Sequence, residues 1–173
     1  MTRVDARRHL GALRLGFAAL VLLSCIVANA SENADCEHYD PAWSPDGRSI
    51  AFVRSCEGNA DIFVVSVDGT DLIRLTETPG REGGPVWSPD GTRLAYAFST
   101  GGDDREIWVI AADGSNAHAV TDNDTSQSHP TWSPDGKRLA FESTRNENPD
   151  IWVLDLASGA ETRLTSDPAR DVA

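Results

Sequence analysis

Trp-Ser-Pro-Asp-Gly occurs three times, at 43–47, 87–91 and 132–136, and its spacings of 44 and 45 residues constrain the fold more than any other feature. Self-similarity at a fixed period of this size marks a chain built from stacked supersecondary units. The register extends beyond the pentapeptide. Pro41-Ala42-Trp43, Pro85-Val86-Trp87 and Pro130-Thr131-Trp132 precede the turn, and Ile50-Ala51-Phe52, Leu94-Ala95-Tyr96 and Leu139-Ala140-Phe141 follow it. Asp61-Ile62-Phe63-Val64, Glu106-Ile107-Trp108-Val109 and Asp150-Ile151-Trp152-Val153 come next. Each copy closes with a Gly turn (Asp68-Gly69, Asp113-Gly114, Ser158-Gly159) and a Leu/Val-Thr pair (Leu75-Thr76, Val120-Thr121, Leu164-Thr165).

In Ser-Pro-Asp-Gly, proline presets φ at the second turn position and aspartate tolerates the third. Glycine then takes the left-handed conformation that closes a hairpin with a bulge. The short apolar, β-branched and aromatic runs on either side read as strands. Arg93-Leu94-Ala95-Tyr96-Ala97-Phe98 lacks clean polar alternation, as expected where both faces of a sheet are covered. The first copy is predicted to hold four antiparallel strands near 41–44, 49–54, 61–67 and 71–76. No segment between 40 and 173 has sustained helical periodicity. The expected fold is all-β: a β-propeller with three four-stranded antiparallel blades, either a partial propeller or half of a six-bladed one. The predicted divisions are 1–30 signal peptide, 31–40 short N-terminal segment, and repeats at 41–84, 85–129 and 130–173.

The whole pattern, Pro-x-Trp-Ser-Pro-Asp-Gly-x-x-Leu/Ile-Ala-Phe through Asp-Ile-Trp-Val and Asp-Gly to Leu-Thr, resembles the TolB-type (WD-repeat-like) propeller family over about residues 40–173. The resemblance implies a bacterial periplasmic setting and an envelope protein or peptide as partner. It also implies six blades and a separate α/β domain ahead of them, neither of which these residues supply. Thr76 to Pro85 and Thr121 to Pro130 are each nine residues apart, and nine beyond Thr165 passes Ala173. Truncation of a longer propeller is the first expectation, closure of a six-bladed ring by a homodimer the second, and an open three-blade arc the third. All five Trp (43, 87, 108, 132 and 152) occupy two repeat positions and are expected to pack between blades. The aspartate of each Ser-Pro-Asp-Gly is turn chemistry, not an acid catalyst.

Before the repeats, Arg3, Arg7, Arg8 and Arg14 precede the apolar run 17–27, and Ala28-Asn29-Ala30 supplies a small-x-small cleavage pattern. The run is short for a bilayer span, which needs roughly 20 residues, so a cleaved export signal is expected. Leu22-Leu23-Ser24-Cys25 loosely matches a lipobox, and membrane attachment is expected only if Cys25 is lipidated. The expected location is therefore the periplasm, with a lipoprotein or secreted form as alternatives. The full chain carries a net charge of −12, and removing residues 1–30 leaves 11 basic and 26 acidic residues, net −15. Such a chain lacks the Lys/Arg clusters needed to bind a phosphate backbone, so no nucleic-acid partner is expected. Cys36 and Cys56 are the cysteines left after cleavage. A hairpin turning near Asp46 brings them face to face, and an oxidising compartment joins them.

No catalytic constellation appears: Gly-x-Ser-x-Gly, His-Glu-x-x-His, the P-loop, Gly-x-Gly-x-x-Gly and Cys-x-x-Cys are all missing. Asp122-Asn123-Asp124 and Gly102-Asp103-Asp104 put carboxylates together without EF-hand spacing, and His38, His118 and His129 fall at three repeat positions. No metal and no cofactor is expected. One set of positions qualifies as a binding candidate: Asp40, Gly84 and His129, which precede the Pro-x-Trp strand and differ in chemistry while their surroundings do not. They are expected at the mouth of a central channel. The function that follows is an exported, non-enzymatic propeller acting as a protein-binding platform. The alternative is the accessory propeller of a hydrolase or lyase acting on peptide or polysaccharide.

Overall fold

The computed structural model describes residues 36–166 except Asp103 and Glu147. The signal segment 1–30, Cys25 and residues 167–173 of the third repeat lie outside the described residues. Twelve strands follow in chain order. The first blade holds β1 (Cys36–Trp43), β2 (Ser49–Cys56), β3 (Asn59–Ser66) and β4 (Ile73–Arg74). The second holds β5 (Arg81–Trp87), β6 (Arg93–Ser99), β7 (Glu106–Ala111) and β8 (His118–Ala119). The third holds β9 (Gln127–Trp132), β10 (Arg138–Asn146), β11 (Asn148–Asp155) and β12 (Glu161–Arg163).

Within each blade consecutive strands pair antiparallel. Two boundaries differ most from expectation. The first strand of blade 1 starts at Cys36 rather than 41, and the fourth spans only Ile73–Arg74 rather than 71–76. In the fourth strand, side-chain bonding takes over from the ladder. Thr76 Oγ1 accepts the Ile62 N–H at 2.8 Å, and Thr121 and Thr165 do the same for Ile107 and Ile151 at 2.8 and 2.9 Å. That is why each copy needs a threonine there: its hydroxyl satisfies a buried backbone donor that the short strand leaves over.

The turns form as their residues require. Gly47, Gly91 and Gly136 sit at φ +70, +70 and +67°, a region open to glycine at no steric cost. In the first, Ser44 Oγ donates to Asp46 Oδ1 at 2.7 Å, while Asp46 also accepts the Arg48 N–H at 3.0 Å. These bonds to the charged form hold the Asp46 and Asp135 carboxyls below the usual range, and Asp90 down to about 2.

The blades pack face to face through two apolar layers. Ala51, Ile62, Val64 and Leu75 of blade 1 meet Leu94, Tyr96, Phe98 and Ile110 of blade 2. Ala95, Ala97, Ile107 and Val109 then meet Leu139, Phe141 and Leu154 of blade 3. The Trp of the second and third turn motifs bridges backward: Trp87 Nε1 donates to Ala42 O at 3.2 Å and Trp132 Nε1 to Val86 O at 3.1 Å. Trp43 departs from the expected inter-blade packing. Among the described residues no blade covers its face of blade 1, and it is 60% exposed. Among the described residues the strand sheets do not close into a ring. First strands of neighbouring blades, β1 with β5 and β5 with β9, approach one another, whereas β4 and β8 do not, so β1, β5 and β9 are innermost. Cys36 and Cys56 are directly paired across β1 and β2 and form a disulfide closing a loop with a sequence separation of 20.

Candidate functional site

The three candidate positions lie inside the innermost strands, not in the loops that precede them. Asp40 is in β1, Gly84 in β5 and His129 in β9. Because each first strand starts earlier than predicted, these residues fall part-way along it. All three share one backbone state, with φ of +53, +58 and +51°. Each occupies a bulge at which the pairing register shifts: between Tyr39 and Ala42, between Gly83 and Val86, and opposite Ala140 and Glu142. Bulges re-aim side chains and are frequent beside binding sites. Holding Asp40 and His129 in the left-handed region costs of order 1 kcal/mol each, which the pairing on both sides of the bulge imposes.

The side chains at these bulges make different contacts. Asp40 Oδ2 accepts the Gly84 N–H at 2.9 Å, linking the bulges of blades 1 and 2. His129 Nδ1 lies 3.2 Å from Glu142 Oε2, with the histidine side chain 74% exposed. Asp40 also lines a cavity of about 280 Å³ between blades 1 and 2, together with Tyr39, Ser55, Arg81, Glu82 and Arg105. The cavity therefore presents both carboxylate and guanidinium groups on inner-strand backbone.

Glu82 is the member that sequence reasoning missed. It is 2% exposed, its Oε1 accepts from Thr78 Oγ1 at 2.9 Å, and its Oε2 is buried with no hydrogen-bond partner among the described residues. Burial pushes its carboxyl up to about 7, the Thr78 hydroxyl opposes this, and the nearby Asp61 charge adds to it. Asp61 is itself buried and paired with Arg74 at 2.8 Å. In blade 3 the same pairing recurs at the same repeat position, Arg163 with Asp150 at 2.7 Å. Blade 2 has Ala119 in place of the arginine, and Glu106 instead accepts from the Thr121 hydroxyl and from Asn123 N–H at 2.8 Å. Glu82 aligns with His38 and Gln127 in the other copies, so the position could have been flagged as variable. Its burial could not. Among the described residues no group of three or more His, Cys, Asp or Glu is arranged to hold a metal ion.

Residues 23–132 match the TolB beta propeller domain family, on top of three blades with the expected strand order. The chain belongs to that family. As a TolB-type chain it also matches, over 104–173, the dipeptidyl peptidase IV (DPP IV) N-terminal region. TolB from Acinetobacter baumannii superposes with a TM-score of 0.67 at 28% identity, covering 78% of this chain and 33% of that one. An oligogalacturonate lyase in complex with manganese gives 0.64 at 20% identity over 79% and 43% of the two chains. A puromycin-hydrolyzing peptidase from Mycobacterium tuberculosis gives 0.66 at 20% identity over 76% and 24%. At that identity the last two share the fold. The uncharacterized peptidase YuxL of Bacillus subtilis is 44% identical over 41 residues, which is 23% of this chain and 6% of that protein. This chain thus spans less than half the length of each of these relatives.

Proposed function

We propose that the chain is an exported, non-enzymatic propeller protein that binds a protein or peptide of the bacterial envelope along its innermost strands. The observation that carries this reading is the repeated left-handed bulge, one backbone geometry used three times with three different residues: Asp40, Gly84 and His129. A constant scaffold with variable chemistry at one position is how a binding surface is built on a repeat fold. The adjoining cavity with Asp40, Arg81 and Arg105 offers charged anchors for an extended segment. The acid excess favours a basic one, because complementary charge speeds encounter and rejects like-charged partners. The disulfide and the basic-then-apolar N-terminus support export to the periplasm.

Glycine at Gly84 indicates a substitution that empties the surface without straining it. The double variant Asp40→Gly, His129→Gly keeps the bulges and removes both side chains. Immobilised wild-type protein is expected to retain envelope proteins at mild salt that the double variant releases. Equal retention by both, or none by the wild type, would refute the reading.

A second reading is the accessory propeller of a hydrolase or lyase, favoured by the match of 104–173 to a peptidase N-terminal region. The coding sequence downstream of codon 173 separates the two: a frame continuing into a catalytic domain supports the enzyme-associated role.

A further inference from the structure

At their turn ends the two blade junctions share one frame. Trp87 and Trp132 each donate the indole N–H to the residue before the preceding blade's Trp, Ala42 O at 3.2 Å and Val86 O at 3.1 Å. The turns also stack alike. A Cβ on Gly91 would lie 3.6 Å from Pro45 Cδ, and one on Gly136 would lie 3.8 Å from Pro89 Cδ.

What fills the frame differs. Between blades 2 and 3, the Arg93 guanidinium carbon lies 4.6 Å from the Trp132 ring centroid, and Nη2 donates to Gly136 O at 3.2 Å. Leu156 and Trp132 pack against the same apolar layer. Between blades 1 and 2, the Arg93 position holds Ser49 and the Leu156 position holds Ala112. Both replacements remove volume. An open cavity of about 490 Å³ remains, lined by Ser49, Ala112, Trp87, Gly91, Asp46 and Asp90, and no lysine or arginine lines it among the described residues. Hydrogen bonds within the turns keep both aspartates ionised at neutral pH.

We infer that this cavity takes the guanidinium of an arginine side chain presented by a peptide of another protein, in the place that Arg93 occupies one junction further on. There the guanidinium plane stacks on the Trp87 indole, Gly91 O accepts an N–H, and Asp46 and Asp90 supply the counter-charge. Lysine fits less well, because a compact ammonium has no plane to stack and is more strongly hydrated. The site lies between two blades of this chain and is separate from the inner-strand bulges, so neither proposal depends on the other.

Titrating the protein with Nα-acetyl-arginine N-methylamide, followed through the indole N–H resonances by NMR, tests it. A saturable shift of the Trp87 resonance is expected. The citrulline analogue, which has the same shape without the charge, binds about tenfold more weakly, and the lysine analogue is also weaker. Ser49→Arg supplies the guanidinium from within the chain and abolishes the saturable shift. Arg93 and Arg138 hold this position in the other repeats, so a native circular dichroism spectrum is expected for that variant. Asp46→Asn keeps an oxygen for the turn bonds and weakens binding about threefold, the scale of an exposed charge pair. Four outcomes overturn the inference: a shift that never saturates, citrulline or lysine binding as tightly as arginine, Ser49→Arg binding like the wild type, or binding by free arginine but not by the blocked form.

Discussion

Replacing Glu82 by glutamine isolates the energetic consequence of burying an acid beside the inner strands. The carboxyl is 2% exposed, its Oε2 has no hydrogen-bond partner among the described residues, and its pKa rises from 4.5 to about 7. Below pH 4.5 the folded and unfolded chains both carry the proton, so ionisation of this group contributes nothing to the difference between them. Between 4.5 and about 7 the unfolded chain ionises while the folded chain resists, and stability falls as pH rises. Above about 7 the penalty is complete. At about 1.4 kcal/mol per pH unit it reaches about 3 kcal/mol. Glutamine suits the site: Gln127 holds the equivalent position in blade 3, fully buried, with Nε2 donating to Asn123 Oδ1 and Thr125 O, each at 2.7 Å. Glu82→Gln is therefore expected to raise stability by about 3 kcal/mol at pH 8, about 10 °C in Tm, and by little at pH 4. Thermal or urea unfolding from pH 4 to 8 measures both ends. A gain independent of pH, or a loss at pH 8, would refute burial of the acid as the cause.

Two further outcomes follow from the packing. Cys36→Ser with Cys56→Ser, or reduction of the wild type, is expected to lower stability by about 3 kcal/mol through the freed loop, read as a fall in urea midpoint in non-reducing buffer that disappears when both proteins are reduced. Gly80→Ala places a Cβ 2.5 Å from Ser99 O and 2.6 Å from Phe98 Cε2, so a loss of about 3 kcal/mol is expected on thermal unfolding. An unchanged Tm would mean that this strand entry yields more readily than its contacts imply.

Much of the architecture was legible because it repeats. A Pro-Asp-Gly turn can close a hairpin in only a few ways, and three copies in register remove the ambiguity that a single short apolar run carries. The Cys36–Cys56 pairing was legible for the same reason, since the turn at Asp46 sets the register on both sides. The bulges were not. Asp40 and His129 are ordinary polar residues in sequence, and their left-handed backbone arises from a register shift between two strands, visible only once both are placed. Trp43 shows the complementary failure: register equates it with Trp87 and Trp132, yet a tryptophan is buried by its neighbour and not by its own strand.

By itself, the sequence determined the unit: four short strands, their turns, the near-continuous apolar runs that give a blade two apolar faces, and the family those features define. These are local properties, set by φ preferences and side-chain spacing within about 45 residues. Tertiary structure alone decided what lies between units. It sealed Glu82 away from water, set Asp40 against the Gly84 amide, and left Trp43 exposed. The reason is physical: burial and ion pairing depend on the blade that arrives from elsewhere in the chain, and three identical motifs meet three different neighbourhoods.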